Sequence, residues 1–176
     1  MACIIADGYA LGCRDNIGGI QSVFIGNFDT TQNYTFDVDN QIDSVLLAAV
    51  PGSLTYYTFE QENETGEFKE TAAISNENGT VFYEQTVSLT LHKATAAVKN
   101  KLKLLAQGNL SLIVLDQSGV YHLVGMQNGV RVSAIDGGVG KAYGDMNGYT
   151  VSFMAKEPQP AVIIDQASAS FTLTAN

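Results

Sequence analysis

Residues Thr80–His92 read T-V-F-Y-E-Q-T-V-S-L-T-L-H. From Glu84 onward Val87, Leu89 and Leu91 alternate with Thr86, Ser88 and Thr90. A period of two in β-branched and apolar residues places one set of side chains on a core and the other on a polar surface, so this is a half-buried strand. Tyr149–Met154 (Y-T-V-S-F-M) repeats the pattern, and Glu157-Pro158-Gln159-Pro160 ends it, because two prolines cannot join a central ladder. Between these strands lie the apolar run Leu110–Leu115, the turn Asp116–Gly119 and the returning strand Val120–Met126. Asn128-Gly129 then leads into Val130–Ile135, and Asp136–Gly148 is glycine-rich. Only Thr95–Gln107 breaks the rhythm. Val98, Leu102 and Leu105 share one helical face while Lys99, Asn100 and Lys103 face away. Thr95 is the expected N-cap, Gly108-Asn109 the stop, and the late lysines suit the helix dipole.

Upstream, Ser22–Phe28, Thr31–Val38, Val45–Val50 and Ser53–Glu60 have strand composition, with Pro51-Gly52 marking a turn. Ala161–Asp165 and Ser170–Leu173 read as short terminal strands or an arm. Gln61–Gly79 is different. It holds Glu62, Glu64, Glu67, Glu70 and Glu77 with only Lys69 to offset them, and reads as an extended acidic loop or an exposed hairpin tip. The expected fold is mainly β: a β-sandwich or partly closed barrel with one flanking amphipathic helix over about 95–107. No repeat or linker divides residues 1–176, which form a single domain with possible arms at both termini.

Charge is unevenly spread. Residues 1–84 hold thirteen acids against Arg14 and Lys69, and residues 85–176 hold five acids against seven bases, giving −11 and +2 for the overall −9. Eleven of the thirteen acids fall between Asp29 and Glu84. A pI near 4.4 argues against a nucleic-acid binder, since the one basic cluster, Lys99, Lys101 and Lys103, sits on a short helix. Only 15% of residues are charged against 45% hydrophobic, a low share that suggests surface covered by neighbours unless Ser, Thr, Asn and Gln do the solvating. Cys3 and Cys13 are too few for a disulfide scaffold; free thiols are expected. Met1–Ala10 lacks the basic region of a signal peptide, and no run reaches the ~20 apolar residues of a membrane span, so a soluble intracellular setting is expected unless the chain leaves inside a larger particle.

No constellation supports catalysis, a metal or a cofactor. Gly137–Gly144 (G-G-V-G-K-A-Y-G) fails as a phosphate loop, because Ala142 follows Lys141 and Ile135 stands where the first glycine belongs. It fails as a dinucleotide fingerprint at Tyr143. Asp37-Val38-Asp39 with Asp43 resembles a calcium loop in its acids alone: Ile42 occupies the glycine position and the closing glutamate is missing. His92 and His122 lie in neither a nucleophile elbow nor a zinc-binding helix. Carboxylate pairs for glycoside chemistry are made by folding, not spacing, but the lack of Trp disfavours sugar-stacking sites. The chain is not expected to be an enzyme.

The succession N-G-T-V-F-Y-E-Q-T-V-S-L-T-L (Asn78–Leu91), L-K-L-L-A-Q-G (Leu102–Gly108), D-Q-S-G-V-Y-H-L-V-G (Asp116–Gly125) and D-M-N-G-Y-T-V-S-F-M-A-K-E-P-Q-P (Asp145–Pro160) resembles structural proteins of tailed-bacteriophage virions, most closely the tail tube proteins of long-tailed phages. Gly12–Ile20 (G-C-R-D-N-I-G-G-I) also looks like virion proteins of phages of Bacteroidetes-type hosts. The resemblance covers about half the chain. It implies a subunit of hexameric rings that stack into a DNA-conducting tube, located in the virion after synthesis in the host bacterial cytoplasm. Its partners would be further copies of itself, other phage tail or head proteins, and DNA in transient non-sticky passage through an acidic lumen, with no membrane. On this reading Asp37, Asp39 and Asp43 lie near the lumen or an inter-subunit seam. Gln61–Gly79, with Glu62, Glu64, Glu67, Glu70 and Glu77, makes the inter-ring contact, and the helix packs on the outer face of the sandwich. The alternatives are another virion component, such as a capsid decoration, head-fibre or connector protein, and a carbohydrate- or receptor-binding module.

Overall fold

The structure is a computed structural model that describes residues 9, 17–30, 33–36, 42–46, 55–164 and 172–174. The elements run β1 (Ile20–Asn27), β2 (Asn33–Phe36), β3 (Ile42–Leu46), β4 (Thr55–Phe59), β5 (Glu67–Ser75), β6 (Thr80–His92), α1 (Ala96–Gln107), β7 (Leu110–Asp116), β8 (Tyr121–Val124), β9 (Arg131–Gly138), β10 (Gly148–Glu157), β11 (Val162–Ile164) and β12 (Thr172–Thr174). They make an eight-stranded sheet in the order β12-β4-β1-β7-β8-β11-β3-β2 and a four-stranded sheet in the order β5-β6-β10-β9. Pairing is antiparallel except where β11 meets β3 and β12 meets β4. No pairing among the described residues joins the ends of either sheet, so the fold is a sandwich and not a closed barrel.

The alternation in Thr80–His92 has the expected consequence. Val87 and Leu89 of β6, with Val151, Phe153 and Ala155 of β10, face Val23 and Ile25 of β1, Leu112 and Val114 of β7 and Val124 of β8 in one inter-sheet core. The continuous apolar run of β7 is buried on both faces, as such runs require. Its opposite face, with Ile113, joins Phe24, Tyr56, Leu123, Met126, Val162 and Ile164 in a second cluster. Tyr34 packs there too, although β2 ends the large sheet on one side and β4 lies one strand from the other end. The large sheet therefore curls over this face. Burial, then the charges of Tyr56, Asp29 and Glu157, push the Tyr34 phenol far up. Tyr56 shares a buried 3.1 Å hydrogen bond with Ser111.

Helix α1 starts where the capping residue puts it: the Thr95 hydroxyl accepts a hydrogen bond from the Val98 N–H at 3.3 Å. Loss of that oxygen in Thr95→Ala should lower stability by about 1 kcal/mol, read from the midpoint of urea unfolding. Leu102 is buried in the inter-sheet core, with Val98 and Leu105 packed against it. The helix therefore closes the end of the sandwich and does not lie on its outer face. The stop at Gly108 is extended, with φ −88° and its N–H donating to the Leu104 carbonyl, so glycine's left-handed freedom is not used. Nor are the lysines in the last turn; they stand mid-helix, away from the negative end of the dipole.

Two further features concern the small sheet. Residues 67–75 form one strand of a hairpin: β5 pairs with β6 over nine residues, from Glu67 opposite Ser88 to Ser75 opposite Thr80, and only 76–79 turn. Strand β9 continues through Asp136, Gly137 and Gly138, which pair with Thr150, Tyr149 and Gly148. At Gly137 a side chain would run into the Tyr149 ring, so the close approach of the two strands needs glycine there. The terminal pieces are strands of the large sheet.

Candidate functional site

The small sheet leaves both its edges, β5 and β9, uncovered by any described strand. Three successive antiparallel pairings separate them, so β5 and β9 run in opposite directions. Register assigns the outward side chains. They include Thr71, Thr86, Ser88, Thr90, Thr150 and Ser152, with Glu67, Glu84 and Asp136 balanced by Lys69, Lys156 and Arg131. Glu84 and Lys156 pair at 2.9 Å, and the Lys156 ammonium also stands 5.5 Å from the Phe82 ring centroid. The chain's acid excess is thus not on this face, which is hydroxylated and close to neutral.

Strand β10 stops pairing with β6 at Tyr83, so beyond it β5 and β6 continue as a two-stranded arm. Ile74 and Val81 stand opposite one another on this arm, 67% and 52% exposed. Gly79, with φ +63°, closes the Asn76–Gly79 turn, a left-handed geometry that suits the Asn-Gly pair in the sequence.

The acids expected to act together are dispersed along this hairpin. Glu62 and Glu64 occupy the exposed turn before β5, beside the end of β6: the Thr65 carbonyl accepts from the Thr90 hydroxyl at 3.3 Å. Glu67 begins β5. Glu70 accepts the Ala161 N–H at 2.9 Å, and Glu77 sits in the turn at the far end. Asp43 belongs to β3, in the other sheet. Asp37 and Asp39 lie outside the described residues, as do Cys3 and Cys13.

The charge chemistry that folding does concentrate is at Glu157, which sequence reading treated as part of a strand terminator. Its carboxylate is buried and accepts hydrogen bonds from the N–H groups of Gln127, at 3.2 Å, and Asn128, at 2.8 Å. Burial pushes its pKa up and the two N–H groups partly restrain it. Beside it, buried Gln85 accepts the Gly125 N–H at 3.1 Å and donates to the Gln159 carbonyl at 3.4 Å. These groups tie the 125–129 turn of the large sheet to β6 and β10. Asp116 does the same service for its own turn, accepting from Val120 N–H at 2.9 Å and pairing with His122 Nε2 at 3.2 Å. Burial raises its pKa, but these bonds, with the Ser118 N–H, outweigh burial and leave it lowered. His122 also lies against the Phe68 ring. Both carboxylates therefore act as turn anchors.

Comparison of the chain with known protein families, with characterised proteins and with solved structures finds no match. Among the described residues no group of three or more His, Cys, Asp or Glu side chains is placed to hold a metal ion, and no helix is long and apolar enough to cross a membrane.

Proposed function

We propose that this protein is a structural subunit of a phage virion, a tail tube protein that assembles into rings and stacked tubes. The observation that carries the reading is the pair of open, oppositely directed edges on the small sheet. A second copy set beside the first in the same orientation brings its β9 against the first copy's β5 with antiparallel polarity, continuing the ladder. Such a head-to-tail contact is heterologous, and repetition closes a ring when the rotation per copy permits. Ring closure also removes the edges that would otherwise template open-ended aggregation. The resemblance of Asn78–Leu91 and Asp145–Pro160 to tail tube sequences supports the same reading, since these stretches are the two central strands of that sheet.

On this proposal the outward face of the small sheet lines the channel. A wall rich in Thr and Ser, with its six charges balanced, offers passing phosphates no basic cluster to bind. Negative-stain microscopy of the purified protein should therefore display rings or tubes, and sedimentation should give a large closed oligomer. A protein that stays monomeric at high concentration overturns the reading; trimers point to another virion component.

A further inference from the structure

We infer that Asn78-Gly79, at the tip of the β5–β6 arm, is a self-modification site where the asparagine converts to aspartate and isoaspartate as the molecule ages. The reaction needs one chain only and does not depend on the assembly proposed above.

The sequence contains Asn-Gly three times, at Asn78-Gly79, Asn128-Gly129 and Asn147-Gly148. In each pair the glycine has no side chain to obstruct attack of its own backbone nitrogen on the asparagine amide. That nitrogen bonds to the asparagine Cγ, the Cγ–Nδ2 bond breaks, and ammonia leaves with the proton of the glycine N–H. The five-membered imide then adds one water. Opening at one carbonyl gives aspartate. Opening at the other gives isoaspartate, in which the main chain runs through the side-chain carboxyl carbon. Neither an oxidant nor a second protein is required. The peptide plane between the two residues must, however, be free to turn toward the side chain.

The fold grants that freedom at one of the three pairs. Gly148 is buried at the start of β10, in register with His92 and Gly138, and the Asn147 carbonyl accepts the Lys93 N–H at 2.8 Å. Asn128 is tied at three points. Its N–H donates to Glu157 at 2.8 Å, its side-chain amide donates to the Lys156 carbonyl at 2.7 Å, and its carbonyl accepts from the Asn109 side chain at 3.4 Å. Residues 76–79, by contrast, are all exposed and lie beyond the ladder, which ends at the Ser75–Thr80 pair. Nothing stands within 4 Å of where a side chain at Gly79 would begin. The Asn78 N–H meets the Ser75 hydroxyl at 3.4 Å, long for a hydrogen bond. Exposed tips of this kind concentrate local motion.

Conversion alters the arm in two ways. It adds a negative charge to a turn that already carries Glu77, and isoaspartate lengthens the main chain of the turn by one carbon. The turn sets the register of a hairpin, and β5 has no fully buried residue to hold it by other means. The Ser75–Thr80 and Ile74–Val81 pairs beside the turn therefore loosen first.

The full-length native protein, incubated at mildly alkaline pH and sampled by tryptic digestion and mass spectrometry, tests this. Cleavage after lysine and arginine puts the three pairs on separate peptides, 70–93, 104–131 and 142–156. Each reports conversion as the mass gain of an NH2 group replaced by OH. Peptide 70–93 should convert at least about tenfold faster than the other two, the factor that about 1.4 kcal/mol of local opening imposes. Fragment ions should place the change at Asn78 and not at Asn76. In urea, where the fold no longer distinguishes them, all three pairs should convert at similar rates. Asn78→Gln, whose longer side chain does not close the five-membered imide, should leave peptide 70–93 unconverted and keep the wild-type Tm. In the aged wild type, backbone hydrogen exchange at 73–75 and 80–82 should be several-fold faster than in fresh protein. A native Asn78 that stays intact while the unfolded chain converts, or that converts no faster than Asn128 and Asn147, overturns the site. Conversion with no change in exchange along the arm overturns its effect on the pairing.

Discussion

Replacing Phe153 by Ala is expected to cost about 3–5 kcal/mol, the range for truncating a fully buried aromatic side chain. Phe153 is 1% exposed and sits midway along β10, in the layer where the two sheets meet. Its neighbours across the small sheet, Val87 and Val132, are themselves held by backbone pairing, so the space it leaves cannot collapse without breaking ladders. In a chain of this size such a loss corresponds to a fall in Tm of roughly 6–20 °C, at ~2–4 °C per kcal/mol. Calorimetry or thermal circular dichroism reads it directly. Tyr143→Ala, at a fully exposed position in the 139–147 loop, should leave Tm unchanged. Equal effects at the two positions would mean that the sheets do not share one core.

The second large effect belongs to Glu157. Substitution by Leu keeps apolar volume but leaves the Gln127 and Asn128 N–H groups without their acceptor. At ~1–3 kcal/mol for each of the two donors left unpaired, stability should drop by roughly 2–6 kcal/mol. Glu157→Gln keeps an acceptor oxygen and should lose less than half as much. The two variants also differ in their response to pH. Because burial raises the Glu157 pKa in the folded state, the native protein holds this proton more tightly than the unfolded chain. Its contribution is therefore most favourable below the ordinary carboxyl value and declines as pH rises through the folded value. Urea unfolding between roughly pH 4 and pH 8 should find the wild type losing stability relative to Glu157→Gln as pH rises. Asp116, whose pKa is lowered, works in the opposite direction, and its contribution is lost as pH falls. A wild-type-minus-Gln difference that is flat across the range would exclude a buried, ionising Glu157.

Much of the architecture is local and was legible. Strands β6 and β10 declare themselves because alternate residues must satisfy a core and a polar surface, and α1 because Val98, Leu102 and Leu105 recur at the helical period. The prolines after Glu157 end β10 where they must. Strand β5 was legible only as one of two alternatives, an exposed hairpin or an acidic loop. Its sequence, E-F-K-E-T-A-A-I-S, has four charged or hydroxyl residues among its first five positions, and no residue on it is fully buried. It is a strand because β6 supplies nine residues of partner, not because of any preference of its own. The glycines ending β9 mislead for a similar reason: they signal a loop in isolation, yet one of them permits the close packing of Tyr149.

The acids divide along the same line. Their number and their clustering before residue 85 belong to the sequence alone, and so do the alternating strands, the helix and its cap. Which acids share a surface is a matter of pairing across the chain. Folding spreads Glu62, Glu64, Glu67, Glu70 and Glu77 along the length of one hairpin, buries Glu157 beneath a turn some thirty residues away, and leaves the outward face of the small sheet balanced in charge. Side-chain periodicity is a property of consecutive residues, whereas electrostatic environment and edge exposure are set by neighbours brought together only when the sheets assemble.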